Sequence, residues 1–174
     1  MGFGKAFLFC ILAFVGLNFI FTIIYYAIGP GFDSLFSTIQ NAPLMILYYL
    51  FGSIISTPSN IFNWTIYEPF ISSDLNNLIL GLGHLAAPLV AAILTGRFGE
   101  SKIQSFGGWL LTAAISTTSV IIAAWLSPTT ETALINTYGW ISGDEILILA
   151  IISCVINIFF YGFFALVLSK EEYY

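Results

Sequence analysis

Four long apolar runs limit what this chain can fold into. They cover residues 6–28, 75–96, 106–126 and 145–168, and each is close to the roughly 20 residues that a helix needs to cross a bilayer. Hydrophobic residues make up 59% of the chain and charged residues only 7%, whereas a soluble domain carries about 25% charged residues. The sequence therefore predicts an all-α, multi-pass membrane protein with four transmembrane helices in a single domain, residues 1–174.

The basic residues predict the orientation of these helices. With four spans, every Lys and Arg falls at the same end of the bundle: Lys5, Arg97, Lys102 and Lys170. The connections at the opposite end contain six acidic residues and no basic one: Asp33, Glu68, Asp74, Glu131, Asp144 and Glu145. Because basic connections stay on the cytoplasmic side, we expect both termini to be cytoplasmic, in the cell membrane.

The connection 29–74 between the first two spans is unusually apolar for a loop. Its segment 42–56, "APLMILYYLFGSIIS", is short for a membrane span, and a crossing there would place the later basic residues outside. We therefore predict that it is re-entrant or lies in the outer interface. Its aromatic residues are typical of the headgroup region or of a protein partner: Tyr48, Tyr49, Phe62, Trp64, Tyr67 and Phe70. Asn63 begins the only N-glycosylation sequon, "NWT", and is a candidate modification site.

The polar residues inside the spans fall at one predicted depth. Asn18, His84 and Asn157 each lie 13 residues along the chain from a basic residue, namely Lys5, Arg97 and Lys170. The same count from Lys102 reaches Ile115, the neighbour of Ser116. At about 1.5 Å per residue, these polar groups form one layer roughly 20 Å from the basic residues.

This polar layer has two interpretations. Ionisable and polar groups at membrane depth mark solute, ion or proton sites, which would make His84, Asn18, Asn157 and Ser116 ligand or pore-lining residues. The same residue types also bond helices to one another in any bundle. Apart from Glu145, which opens the fourth span, no Asp or Glu lies within the four spans, so a proton relay would lack its usual carboxylate, and the sequence favours the second interpretation.

The same two interpretations, a ligand site or a contact between helices, apply to His84. Pro88 frees the carbonyl four residues earlier, which belongs to His84, so we expect a kink there. The imidazole could donate to Asn18 or Asn157 on a neighbouring helix. We interpret His84 as a hydrogen-bonded packing residue, with a ligand or gating role as the alternative.

No catalytic motif is present. One histidine and two cysteines, Cys10 and Cys154, lie in no arrangement typical of a nucleophile, haem or zinc site. We predict no catalytic residue, no metal and no cofactor, and an enzyme is the less expected class. Four basic residues against nine acidic ones also exclude a phosphate-binding surface for nucleic acid.

Two functions follow as hypotheses. The first is a non-catalytic accessory subunit of a larger membrane complex, surrounded by the lipid bilayer and packed on other membrane subunits through spans one and four and the 42–70 connection. The alternative is a small-solute or ion channel or carrier that works as a homo-oligomer and uses the polar layer of Asn18, His84, Ser116 and Asn157.

Overall fold

The computed structural model describes residues 2–72, 75–138 and 143–169, which are largely helical and contain no strand. The helices in these ranges are α1 (Gly2–Ile28), α2 (Phe32–Asn41), α3 (Met45–Phe51), α4 (Pro58–Phe62), α5 (Glu68–Ser72), α6 (Leu75–Phe98), α7 (Lys102–Leu126), α8 (Pro128–Tyr138) and α9 (Gly143–Val167). A 3₁₀ turn (Gly52–Ile55) extends α3, and a π-helical turn (Asn63–Tyr67) joins α4 to α5.

Four of the described helices are long and apolar enough to cross a membrane, namely α1, α6, α7 and α9. They coincide with the four predicted spans, although α1 and α7 begin four residues before the apolar runs do. Ser101 explains the start of α7, because its side chain accepts a hydrogen bond from the backbone N–H of Gln104 and caps the helix. Helix α6 continues through Pro88.

The basic residues of the described part gather at one end of the bundle. Lys5 lies in the first turns of α1, Arg97 in the last turn of α6, and Lys102 at the start of α7. These helix ends are neighbours, because the rings of Phe9 and Phe98 stack with centroids 4.2 Å apart. Lys170 and Asp74, which entered the charge argument, lie outside the described residues.

A bent segment, residues 45–71, fills the space between the spanning helices. Its two arms, Met45–Ile55 and Pro58–Ile71, meet at 96°. Residues 52–56 at the end of the first arm are buried, and the 3₁₀ turn packs against α6, α7 and α9. The chain therefore enters the bundle as α3, turns at Ser56–Pro58 and leaves as the helical stretch from α4 to α5.

Small residues allow the spanning helices to pack closely. Near the end with the basic residues, Thr95 on α6 donates to the carbonyl of Ser105 on α7 at 3.2 Å. Farther from that end, the Cα of Gly83 faces Phe21 of α1, and α6 packs more extensively on α1 than on α7. Small residues of α6 therefore allow both α1 and α7 to approach this helix closely.

We predict that Gly108→Ala destabilises the bundle by about 1–3 kcal/mol, as overpacking does. A Cβ at Gly108 would lie 2.6 Å from Thr95 Oγ1 and 3.2 Å from the backbone nitrogen of Phe7. Gly16→Ala is the matched control, since no neighbouring atom lies within 4 Å of a Cβ there and alanine favours the helix by up to about 1 kcal/mol. Thermal unfolding in detergent measures both, and equal midpoints for the two variants would contradict this packing.

Candidate functional site

A chain of hydrogen bonds links His84 to the bent segment and to α8. Ser56 Oγ lies 2.6 Å from His84 Nδ1 and 3.1 Å from the hydroxyl oxygen of Tyr138. The hydroxyl oxygens of Tyr138 and Tyr48 are 3.3 Å apart. Ser56 is fully buried and His84 is 7% exposed, so the chain lies inside the protein.

One order of donors along this chain would give His84 a defined tautomer. Burial raises the pKa of Tyr138 to about 12, so the phenol keeps its proton and can donate to Ser56. If Tyr48 donates to Tyr138 and Tyr138 to Ser56, the hydroxyl of Ser56 is left to donate to Nδ1 of His84. Because one nitrogen of a neutral imidazole accepts while the other carries the proton, the proton then lies on Nε2.

Trp64 covers this cluster from the second arm of the bent segment. Its ring meets that of His84 edge to face with centroids 5.5 Å apart, and its centroid lies 6.0 Å from that of Tyr138. Edge-to-face contacts of this kind add roughly 0.5–1.5 kcal/mol beyond the buried area. Trp64 therefore restricts both rings to the positions from which they reach Ser56.

Asn157 of α9 binds the backbone on the other side of the same turn. Its Nδ2 donates to the carbonyl oxygens of Ile54 at 2.7 Å and of Ser56 at 3.0 Å. Its own backbone carbonyl accepts from the indole N–H of Trp109 at 3.3 Å. Asn157 is fully buried, so its side chain replaces the water that would otherwise solvate these two carbonyls.

A cavity of about 260 Å³ lies beside the hydrogen-bonded chain. It is surrounded by α1, α2, α3, α6 and α8, and its lining consists of Asn18, Phe21, Thr22, Tyr25, Tyr26, Thr38, Met45, Tyr48, Tyr49, Leu80, Gly83, His84, Ala133 and Thr137. None of these described lining residues carries a charge. Exposed Thr137 and half-buried Thr38 lie at the end opposite to the basic residues, whereas Asn18 lies deeper in α1.

Two polar atoms of the lining are left without partners in the described part of the chain. Asn18 donates through Nδ2 to the carbonyl of Phe14 at 2.9 Å, and His84 is bound through Nδ1. That leaves Asn18 Oδ1 and His84 Nε2, neither of which is among the fully enclosed unpaired atoms. Since both residues line the cavity, these two atoms are available to a molecule inside it.

The structure brings three of the four sequence-predicted residues together. His84 and Asn18 line one cavity, and Ser56 joins His84 to Asn157 by offering its hydroxyl to one and its carbonyl to the other. Ser116 is not among the lining residues. Its hydroxyl donates to the carbonyl of Thr112 on its own helix at 2.7 Å. The sequence suggested Asn18 or Asn157 as the hydrogen-bond partner of His84. In the structure the partner is Ser56.

Sequence reasoning missed the residues of the bent segment and of α8. Tyr48 and Tyr49 were expected in the headgroup region or against a partner, but Tyr48 is buried on Tyr138, and the hydroxyl of Tyr49 lies 2.7 Å from that of Tyr26. Ser56 and Tyr138 carried no signal, because a hydroxyl near a proline or at the end of a short helix is common in loops.

The other candidate positions show no ligand cluster. The described residues contain no group of three or more His, Cys, Asp or Glu placed to hold a metal ion, and Cys10 and Cys154 are free, buried thiols. Asn63 is exposed, and its Nδ2 donates to Glu68 Oε1 at 2.9 Å. Glycosylation of Asn63 would require this hydrogen bond to break, and it stays a prediction.

Comparisons with protein-family models, curated proteins and solved structures found no match to this chain. The function must therefore be argued from the residues and their geometry.

We predict that His84 is neutral with its proton on Nε2. The chain contains a single histidine, so nitrogen-15 labelling of histidine gives one imidazole whose two nitrogen shifts identify the tautomer directly. Tyr138→Phe removes the donor to Ser56 and should increase the Nδ1-protonated fraction, whereas Thr132→Val, an exposed position on the same helix, should leave it unchanged. A proton on Nδ1 in the unaltered protein would show that the chain of donors runs the other way.

We also predict that Asn157→Ala destabilises the protein by about 2–4 kcal/mol, since two hydrogen bonds are lost and two buried carbonyls remain unpaired. Asn136→Ala on the exposed face of α8 is the matched control and should change stability by less than about 0.5 kcal/mol. Thermal unfolding in detergent compares the two. If both variants unfold at the temperature of the parent, Asn157 does not stabilise the bent segment.

Proposed function

We propose that this chain binds a small solute within the membrane and carries it across. The observation that supports this best is the cavity of about 260 Å³, whose described lining combines polar and aromatic residues and includes no charged one. Two polar atoms of this lining, Asn18 Oδ1 and His84 Nε2, have no partner among the described residues. Such a cavity costs packing energy in a fold without a ligand.

We interpret the bent segment as re-entrant. Non-helical backbone at membrane depth is tolerated only where protein encloses it or where it lines a water-filled cavity. The turn at Ser56–Pro58 meets this condition, because residues 52–56 are buried and Asn157 satisfies two of the carbonyls. With the basic residues on the cytoplasmic side, the segment would enter and leave from the outside.

This orientation gives the cavity an outer mouth. The helices α2 and α8 lie between spans, at the end away from Lys5, Arg97 and Lys102, and each contributes a threonine to the lining, Thr38 and Thr137. A solute would enter there and reach Asn18 and His84 at the inner end. Release to the cytoplasm would require a second conformation in which the inner end of the cavity opens.

The accessory-subunit hypothesis has one supporting observation. Several aromatic side chains of the connection point away from the bundle, with Phe62 at 61%, Tyr67 at 60% and Phe70 at 86% exposure. A partner helix could cover them. The apolar outer faces of α1 and α9 are also exposed, but lipid covers such faces equally well. Affinity capture from native membranes in a gentle detergent tests this second function through stoichiometric partners.

The carrier proposal predicts that the cavity is reached by water from both sides of the membrane in turn. Cysteines placed at Thr137, at Asn18 and at Ser116, in a protein with Cys10→Ala and Cys154→Ala, can be labelled in sealed proteoliposomes with a membrane-impermeant thiol reagent. We expect Thr137→Cys to react from the outside and Asn18→Cys to react from either side. Ser116→Cys is the matched control and should stay unreactive, because Ser116 is fully buried outside the cavity lining.

The labelling also tests the orientation. Reaction of Thr137→Cys from the cytoplasmic side alone would show that the protein has the opposite orientation in the membrane. If Asn18→Cys is as unreactive as Ser116→Cys from both sides, the cavity is sealed and the transport proposal is wrong.

A further inference from the structure

We infer that the ligand of the cavity is an uncharged aromatic molecule that carries a hydroxyl group and has about ten non-hydrogen atoms. The inference rests on the proposed function, since it names the class of solute for the same site. The size follows from the volume: an apolar cavity of about 150 Å³ holds one benzene ring, and the cavity here has about 260 Å³.

The hydroxyl group follows from the two unpaired polar atoms of the lining. Nε2 of His84 carries a proton in the tautomer predicted above, in which Ser56 donates to Nδ1, and Oδ1 of Asn18 accepts one. A hydroxyl group matches both, because its oxygen accepts and its proton is donated. A hydrocarbon would leave both groups without partners, and unpaired buried polar groups select strongly against such a ligand.

The aromatic body follows from the walls. Four tyrosine rings and one phenylalanine ring line the cavity, from Phe21, Tyr25, Tyr26, Tyr48 and Tyr49. One of the hydroxyls of Tyr26 and Tyr49 donates to the other across 2.7 Å, and that of Tyr48 is hydrogen-bonded to Tyr138. These rings therefore present mainly apolar surface, on which a flat aromatic molecule can pack edge to face or stacked.

The absence of charge follows from the electrostatics. The described lining contains no Asp, Glu, Lys or Arg, so an ionised ligand would lose its hydration without gaining a counter-ion, which is costly at low dielectric. Aromatic rings also attract organic cations, but such sites are improved by a carboxylate, and the described lining offers none. An organic cation is therefore a competing ligand that the experiment must include.

The experiment is a titration of His84 in lipid nanodiscs, followed through the nitrogen-15 shift of Nε2. Four probes of about seven to ten non-hydrogen atoms are compared: phenol, toluene, benzoate and phenyltrimethylammonium, with free concentrations corrected for partition into empty nanodiscs. We expect phenol to move the Nε2 shift at a concentration about tenfold below that of toluene, since about one hydrogen bond to a charge-free donor separates them. The two charged probes should give no shift over the same range.

Asn18→Leu removes the proposed hydrogen-bond acceptor, Asn18 Oδ1, and leaves His84, whose Nε2 shift is measured, in place. The substitution keeps the approximate volume, so the preference for phenol over toluene should fall to a few-fold or less. Asn136→Leu on the exposed face of α8 is the matched control and should keep the full preference.

Each other outcome overturns the assigned ligand class. Equal affinities for phenol and toluene would exclude the hydroxyl, stronger binding of either charged probe would exclude a neutral ligand, and no shift with any probe would exclude aromatic molecules of this size. In all three cases the cavity remains a solute site as long as Asn18→Cys reacts with the impermeant reagent. Only the loss of that reactivity removes the proposed function itself.

Discussion

The fold depends on how one buried backbone turn is satisfied without water. Between Ile54 and Pro58 the helical hydrogen bonding is interrupted inside the protein, where buried backbone groups need partners. Asn157 supplies donors to the carbonyls of Ile54 and Ser56, and His84 binds the hydroxyl of Ser56. Without these contacts the turn would carry several unpaired polar groups, each costing about 1–3 kcal/mol, and the bent segment could not lie between the spanning helices.

The same turn determines the chemistry of the cavity. Ser56 contacts α6 and α8 through its hydroxyl and α9 through its carbonyl, so a single residue fixes three helices relative to one another. Because Ser56 binds Nδ1 of His84, Nε2 is left for a ligand in the cavity that His84 lines. The structural role of His84 and its proposed role toward a ligand are therefore compatible, since each uses a different nitrogen of the ring.

The four spans could be predicted because an apolar run of that length is typical of a helix that crosses the bilayer. Counting from the basic residues also placed Asn18, His84 and Asn157 at one depth, and the structure brings these three near one cavity and one turn. Tyr138 and Ser56 could not be found in this way. Their positions depend on the 96° bend and on the short helix α8, which follow from tertiary packing and leave no periodic pattern in the sequence. The contact between Tyr48 and Tyr138 was missed for a related reason. A tyrosine suits both the headgroup region and a polar interior, so its residue type does not distinguish the two.

Enclosed polar surface is better evidence than exposed apolar surface for choosing between the two proposed functions. Lipid covers an outer face such as that of Phe159, 69% exposed on α9, with no partner required, so apolar exposure says little about assembly. Lipid tails cannot satisfy Nε2 of His84 or Oδ1 of Asn18, and a partner subunit docked on the outer faces would not reach them either. No described residue pairs with these two atoms, so water or a solute in the cavity can bind them, and this asymmetry is why we favour solute binding over the accessory role.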